Sequence, residues 1–311
     1  MSSSLRWSLI AVATLAVAAL AAAPSPRLTE AAAVVVELVV LSALVLLITR
    51  RSRPTVDELC VDGPSRTSAV RELAWLTGWL VIAQGVGAVL GLVLHGHPIS
   101  FHLPGSVHGT HHPPTPAATL MWAAYNGVVY VVVPLWWFGR RYSRAQLWLR
   151  SRRPGRDLMI VMVVLTLESI AQLTLFGAAF IALTGTQMGI GTALSLGLSF
   201  VGTVLPTLVV VASLVVPRVL VITRSPVAAT VIGGLVYTAL HLFDGWTDYG
   251  SAQAAGLSLS LLVLQYLAPG MFKALLTLRT GNAWVHAWAY HAVAPHVWAD
   301  APLMVRIFGV R

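Results

Sequence analysis

Long apolar stretches, separated by short polar connections, make up most of this chain. A transmembrane helix needs roughly 20 mostly apolar residues, and about nine stretches approach that length. They are Trp7–Ala23, Ala31–Thr49, Leu73–Leu94, Ala117–Gly139, Leu158–Leu183, Gly189–Val216, Ala228–Leu242, Ala254–Gly270 and Ala283–Trp298. The alternating polar and apolar pattern of a membrane β-barrel is absent from the sequence. The sequence therefore predicts an all-α fold, a polytopic integral membrane bundle of about eight to nine transmembrane helices.

Composition agrees with this interpretation. Hydrophobic residues make up 57% of the chain and charged residues 10%, and the mean hydropathy is +0.79. These values are not typical of soluble globular domains. The first segment follows Arg6 and ends in small residues, like a signal peptide, but Pro24 argues against cleavage, so we expect an uncleaved helix. Cys60 is the single cysteine, which excludes an intramolecular disulfide and a cysteine-based metal site.

Positive charge alternates along the connections. The loops after the second, fourth, sixth and eighth segments carry Arg or Lys, whereas the connections 96–116, 184–188 and 245–253 carry neither. By the positive-inside rule, we expect a multi-pass protein of the cell membrane with basic loops in the cytoplasm and 96–116 outside. The net charge of +9 then reflects topology and contact with the lipid bilayer, and no nucleic-acid partner is expected.

The arginine-rich segment 140–156 is the clearest change in composition. It predicts two parts, with N-terminal membrane helices at 1–156 and a C-terminal membrane bundle at 157–311. Arginines interleaved with Leu147 and Trp148 also predict a short helix lying on an anionic surface.

Polar residues inside apolar segments are costly and are therefore functional candidates. Glu168 and Gln172 lie four residues apart, as an inward-facing pair would. Tyr237, His241 and Asp244 fall on one helical face, although the helix end makes the place of Asp244 uncertain. A carboxylate one turn from a histidine can fix its tautomer, as a general base requires.

The last segment adds three histidines at five-residue steps. A regular α-helix turns about 100° per residue, so His286, His291 and His296 should point about 140° apart and should not share a metal. Trp284, Trp288 and His291 should share one face, directed at another helix. For His286 and His296 we expect packed or solvated rings.

Two stretches, "YTALH" at 237–241 and "LRTGNAWVHAWAYHAVAP" at 278–295, resemble the CPBP family of intramembrane proteases, also called the CAAX-protease or abortive-infection family. That family carries a Glu-Glu-x-x-x-Arg motif, a Phe-x-x-x-His motif and a His-x-x-x-Asn/Asp motif on neighbouring helices. The resemblance covers about residues 201–298. It places His241 in the second motif, with Tyr237 for the phenylalanine, and His291 in the third.

The sequence departs from the family at acidic and amide positions. Arg218 can fill the arginine place, but Ser213 and Leu214 stand where the two glutamates belong, and Pro295 takes the Asn/Asp place. The resemblance therefore implies a degenerate pseudo-protease with a histidine-lined intramembrane cavity, in contact with a membrane-bound peptide or lipidated protein. Within it, Tyr237, Trp284 and Trp288 are the candidate substrate-binding residues.

Other functions stay open, and whether the protein is an enzyme is undecided at this point. In an active intramembrane endopeptidase, Asp244 or Glu168 would replace the missing base and act with His241 and His291. A metal-binding protein or oxidoreductase would use the loop histidines 95, 97, 102, 108, 111 and 112, and a channel or transporter is a further alternative. We expect no cofactor and no stoichiometric iron or zinc, with any weak metal binding lost when His108, His111 and His112 are replaced.

Overall fold

The computed structural model describes residues 26–103 and 114–311, and this part of the chain is helical without strands. The helices are α1 (Pro26–Ile48), α2 (Val56–Cys60), α3 (Arg66–His95), α4 (Pro116–Gly139), α5 (Pro154–Phe176), α6 (Ala178–Ile181), α7 (Gly185–Thr223), α8 (Pro226–Leu240), α9 (Ala252–Thr280), α10 (Ala283–His286, continuing as π-helix to His291) and α11 (Ala301–Phe308). The all-α prediction is confirmed for these residues.

Five described helices are long and apolar enough to cross a membrane: α3, α4, α5, α7 and α9. The protein is therefore a polytopic membrane protein, but the predicted count of eight to nine spans is not supported. Trp7–Ala23 lies outside the described residues, while Ala33–Ile48 and Pro226–Leu240 are shorter apolar helices. The last predicted span is broken into short helical pieces.

The outer surface of the helices is apolar, as a lipid environment requires. Val81, Val93 and Ile170 are each exposed by 60% or more of their surface. The interior, by contrast, buries many polar and charged side chains, including Glu72, Glu168 and Lys273. A soluble protein shows the opposite arrangement, because water would otherwise contact a continuous apolar surface.

Side-chain caps define where the helices begin. Ser65, Thr115, Thr184 and Ser251 each accept a hydrogen bond from the backbone N–H three residues later, at the starts of α3, α4, α7 and α9. These contacts satisfy N–H groups that a helix leaves unpaired in its first turn.

The segment after α3 turns back into the bundle instead of remaining an outer loop. The Ile99 N–H donates to the Gly87 carbonyl at 3.1 Å, and a β-carbon at Gly91 would lie 2.3 Å from the Ile99 nitrogen. Asn126 and Trp122 donate to the Ser100 carbonyl at 3.1 Å. Residues 97–103, here termed the re-entrant segment, are therefore held against α3 and α4, and only a glycine at position 91 permits this approach.

The arginine-rich connection is not the surface helix that its sequence predicts. Leu147 and Trp148 are both 3% exposed, and the Leu147 carbonyl accepts a hydrogen bond from Ser213. The Trp148 carbonyl accepts from the Ala283 N–H at 2.8 Å. The apolar side chains of this connection thus pack into the bundle, and they were wrongly assigned to a membrane surface.

Arg218, the residue at the family's arginine position, forms a buried ion pair. Its Nε lies 2.8 Å from Glu72 Oε2, and the Tyr142 hydroxyl donates to Glu72 Oε1 at 2.7 Å. Ser213 and Leu214, at the expected glutamate positions, are fully buried but carry no carboxylate. The acidic partner of Arg218 is therefore supplied by α3, from outside the stretch that carries the resemblance.

Candidate functional site

The end of α8 places a histidine and a carboxylate in direct contact. The helix ends at Leu240, and the Asp244 N–H donates to the His241 carbonyl in the turn that follows. His241 Nδ1 lies 3.0 Å from Asp244 Oδ2, and the Tyr266 hydroxyl donates to the same oxygen at 2.8 Å. Asp244 therefore follows the helix end instead of continuing the face of Tyr237 and His241, yet it still reaches the imidazole.

The re-entrant segment adds a histidine to this pair. The His102 N–H donates to Asp244 Oδ1 at 3.3 Å, and its ring centroid lies 4.3 Å from that of His241. His102 Nδ1 is 3.2 Å from the Tyr266 hydroxyl oxygen. A residue that the sequence analysis grouped with the outer histidines thus lies inside the bundle.

The C-terminal histidines are closer together than a regular α-helix allows. From Ala287 to His291 the helix is π-helical, and the Ala292 N–H donates to the Ala287 carbonyl five residues back. A second π-helical turn follows at Ala294–Ala299. Because this hydrogen-bond pattern brings residues five apart onto nearly the same side, the ring centroids of His286 and His291 are 6.2 Å apart and those of His291 and His296 5.3 Å. The predicted 140° separation is therefore wrong.

These elements together form what we term the histidine cluster: His102, His241, His291 and His296. His102 joins its two sides, since its ring lies 4.3 Å from His241 and 6.1 Å from His296. Tyr237 also contacts both sides, with ring distances of 4.8 Å to His241 and 6.1 Å to His291. The two histidines that carry the family resemblance thus lie in one polar cluster.

Hydrogen bonding in the cluster is incomplete among the described residues. His241 Nε2, His296 Nε2 and both ring nitrogens of His291 are buried without a partner. Asp300 Oδ2 lies 2.8 Å from His296 Nδ1, just as Asp244 lies beside His241 Nδ1. Each of these carboxylates favours the tautomer with hydrogen on Nδ1 and therefore leaves the Nε2 lone pair free. A buried polar atom without a partner costs about 1–3 kcal/mol, so this arrangement points to a functional role.

Burial favours the neutral form of the His102 ring. Burial, and then the neighbouring His241, lower the pKa of His102 to about 4. A neutral imidazole can accept a proton or bind a metal through its free nitrogen.

Two of the three predicted substrate-binding residues lie outside the cluster. Trp288 is 40% exposed and packs on Phe200 with ring centroids 5.2 Å apart. Trp284 packs against an apolar core that contains Leu76 and Phe138. Trp288 is exposed whereas His291 is buried, so the predicted common face of these two residues is wrong. Of the three predicted residues, Tyr237 has ring contacts with the cluster.

Glu168 belongs to a different polar group. Its Oε1 accepts a hydrogen bond from Gln172 Nε2 at 3.1 Å, and the side chain is 1% exposed, as the inward-facing pair predicts. Its other charged neighbours in the described structure are Glu37 and Lys273. Among the described residues, we find no hydrogen bond or ion pair that joins Glu168 to the histidine cluster.

Three contributors to the site were missed from the sequence. Tyr266 and Asp300 were not singled out, and His102 was considered only as a loop histidine. The four-residue spacing of His296 and Asp300 in "HVWAD" was the available signal for Asp300. No sequence signal distinguished Tyr266, whose role depends on its position beside Asp244, or His102, whose role depends on the re-entrant segment.

Comparison of the chain with protein-family models, with curated proteins and with solved structures gives no match.

Proposed function

We propose that this protein is an intramembrane hydrolase in which His241, oriented by Asp244, is the general base. The observation that carries the proposal is the buried Asp244–His241 pair with a free Nε2 on His241. Asp244 itself already accepts hydrogen bonds from His241, Tyr266 and the His102 backbone, so its role is to orient and stabilise the imidazole. Sequence reasoning had considered Asp244 as the direct base.

The reaction follows from the geometry of the free nitrogen. His241 Nε2 takes a proton from water as the water oxygen forms a bond to the acyl carbon of a peptide. The resulting imidazolium then gives that proton to the departing amine as the carbon–nitrogen bond breaks. Asp244 stabilises the imidazolium through Nδ1–H, as carboxylates do in related dyads.

The family resemblance supports this class of reaction and suggests its substrates. A His-x-x-x-Asp spacing is absent at His291, where Pro295 takes the last place, but it occurs five residues later at His296 and Asp300, which are in contact. The substrates that the resemblance implies are membrane-bound peptides or lipidated proteins. The alternative of a degenerate, non-catalytic protein rests on the missing Glu-Glu motif. This absence does not argue against our proposal, because the proposed base is His241 and not a glutamate of that motif.

The purified protein in lipid nanodiscs provides the test. The probe is a fluorogenic peptide that ends in a farnesylated cysteine, compared with the same peptide without the farnesyl group. We expect His241→Ala to lower turnover by about 10²–10⁴-fold, the contribution of a positioned general base. His97→Ala is the control and should retain turnover, because this histidine of the re-entrant segment has its ring contacts with His95 and the Pro98 carbonyl.

Two outcomes would contradict the hydrolase. Equal turnover in the parent and in His241→Ala would show that the dyad is not the base. No turnover of either peptide, combined with weaker peptide binding in His241→Ala than in His97→Ala, would favour the non-catalytic binding protein.

A further inference from the structure

The histidine cluster contains a group of nitrogens with the arrangement of a metal site. One ring nitrogen from each of His102, His291 and His296 lies within 4.8 Å of the other two. Zinc–nitrogen bonds of 2.0–2.1 Å place tetrahedral ligand atoms about 3.4 Å apart, so shifts of about 1 Å at the ring nitrogens would bring the three to bonding distance.

Two of these histidines have, at a ring nitrogen, the kind of hydrogen-bond acceptor that orients metal-binding histidines. A histidine ligand usually donates its second N–H to a carboxylate or another fixed acceptor. His296 has the Asp300 carboxylate 2.8 Å from Nδ1, and His102 has the Tyr266 hydroxyl 3.2 Å from Nδ1. Tyr266 in turn donates to Asp244, which leaves its oxygen free to accept from His102.

A second possible group, His102, His241 and Asp244, satisfies the same distance limit but is chemically less suited. The oxygens of Asp244 already accept hydrogen bonds from His241, Tyr266 and the His102 N–H. The nitrogens of His291, by contrast, have no partner among the described residues, and neither has His296 Nε2. The free lone pairs therefore favour the set of three histidines.

We propose that His102, His291 and His296 bind one divalent transition-metal ion of the zinc class, with His241 beside the open coordination position. Three imidazoles and one open position are typical of catalytic zinc sites, and neutral nitrogen ligands also suit Co²⁺ and Fe²⁺. The metal site itself does not depend on the proposed hydrolase function, but its use in catalysis rests on that function. Such an ion would polarise the acyl oxygen of the substrate and lower the pKa of a bound water. The proposed metal site departs from the expectation of no stoichiometric metal that the sequence analysis gives.

The metal content of the full-length protein tests the inference directly. Protein purified in nanodiscs without chelator, and analysed by inductively coupled plasma mass spectrometry, should contain about one zinc-class ion per chain. We expect His291→Ala and His296→Ala to lower that content at least about tenfold, since each removes one of three ligands. His286→Ala is the matched control, because this buried histidine lies one π-helical turn away and outside the proposed set.

Three loop histidines that lie outside the described residues separate a built site from adventitious binding. The triple variant His108→Ala, His111→Ala, His112→Ala should keep its metal. Loss of the metal in this variant, or equal loss in His286→Ala and His291→Ala, would overturn the inference.

A measurement on the parent protein avoids variants that fail to fold. Parent protein stripped by a chelator should take up one equivalent of Co²⁺ and acquire the visible absorption of a four-coordinate ion with three nitrogen ligands. No uptake, or uptake without that absorption, would overturn the inference. If the metal binds but the parent cleaves no peptide, the metal site stands without the hydrolase; if stripped protein cleaves at the full rate, the hydrolase stands without the metal.

Discussion

At the scale of single residues, the side chain that each carboxylate contacts distinguishes Asp244 from Glu168 as a candidate for catalysis. Asp244 and Glu168 were equal candidates in the sequence, since both are acidic residues within or beside apolar segments. The structure places Asp244 at 3.0 Å from His241 Nδ1, whereas Glu168 bonds to Gln172. This contact with an imidazole makes Asp244 the functional candidate. Sequence spacing could not establish the contact, because Asp244 lies beyond the end of its helix.

The substitution Asp244→Asn tests this assignment. The amide keeps the size of the side chain but loses the charge that stabilises the imidazolium, so turnover should fall on the order of 10²-fold or more. Peptide hydrolysis by the purified variant is the measurement, with Glu168→Gln as the matched control. A larger loss in Glu168→Gln than in Asp244→Asn would reverse the two roles.

At the scale of elements, two departures from regular helices build the site. The π-helical turn at Ala287–His291 brings histidines five residues apart to one side, and the re-entrant segment carries His102 into the bundle. The lengths of the apolar stretches predict helices, because burial and lipid contact act on whole segments. The apolar pattern could not predict the π-helical turn or the re-entrant segment. An extra residue in a helical turn leaves that pattern unchanged, and so does a polar loop that packs against Gly91.

Replacing Gly91 with Ala tests the packing of the re-entrant segment. The added methyl group would lie 2.3 Å from the Ile99 nitrogen, so we expect a loss of about 1–3 kcal/mol in unfolding free energy, the usual cost of overpacking. Gly78→Ala in the same helix is the control, because no atom lies within 4 Å of its added methyl group. It should be neutral or stabilising by up to about 1 kcal/mol, the difference in helix propensity. Denaturant titration in mixed micelles gives both values, and equal stability in the two variants would contradict the packing.

At the scale of the whole molecule, the described part of the chain is a helical bundle with an apolar exterior, and its largely apolar core also buries polar and charged side chains. The sequence predicts more spans than the five candidates of the described structure because some apolar stretches form helices shorter than a span, such as Pro226–Leu240. The boundary predicted near residue 156 remains a prediction. One buried core already combines Leu80 and Tyr130 from the first part with Val211 and Tyr237 from the second.

The orientation of the bundle remains to be measured. The loop charges predict that reporters inserted within Arg140–Arg156 are cytoplasmic and that reporters inserted within 96–116 are extracytoplasmic. Paired phosphatase and fluorescent-protein fusions distinguish the two sides. The reverse result would place the re-entrant segment, and with it His102, at the cytoplasmic end.

If the histidine cluster cleaves peptides within the membrane, this cleavage can be detected without knowing the substrate. Membranes from cells producing the parent protein, His241→Ala or His97→Ala at equal levels would be compared by N-terminal labelling and mass spectrometry. We expect new peptide N-termini in or beside hydrophobic segments with the parent and His97→Ala, and their absence with His241→Ala. Identical sets of N-termini in all three membranes would contradict it.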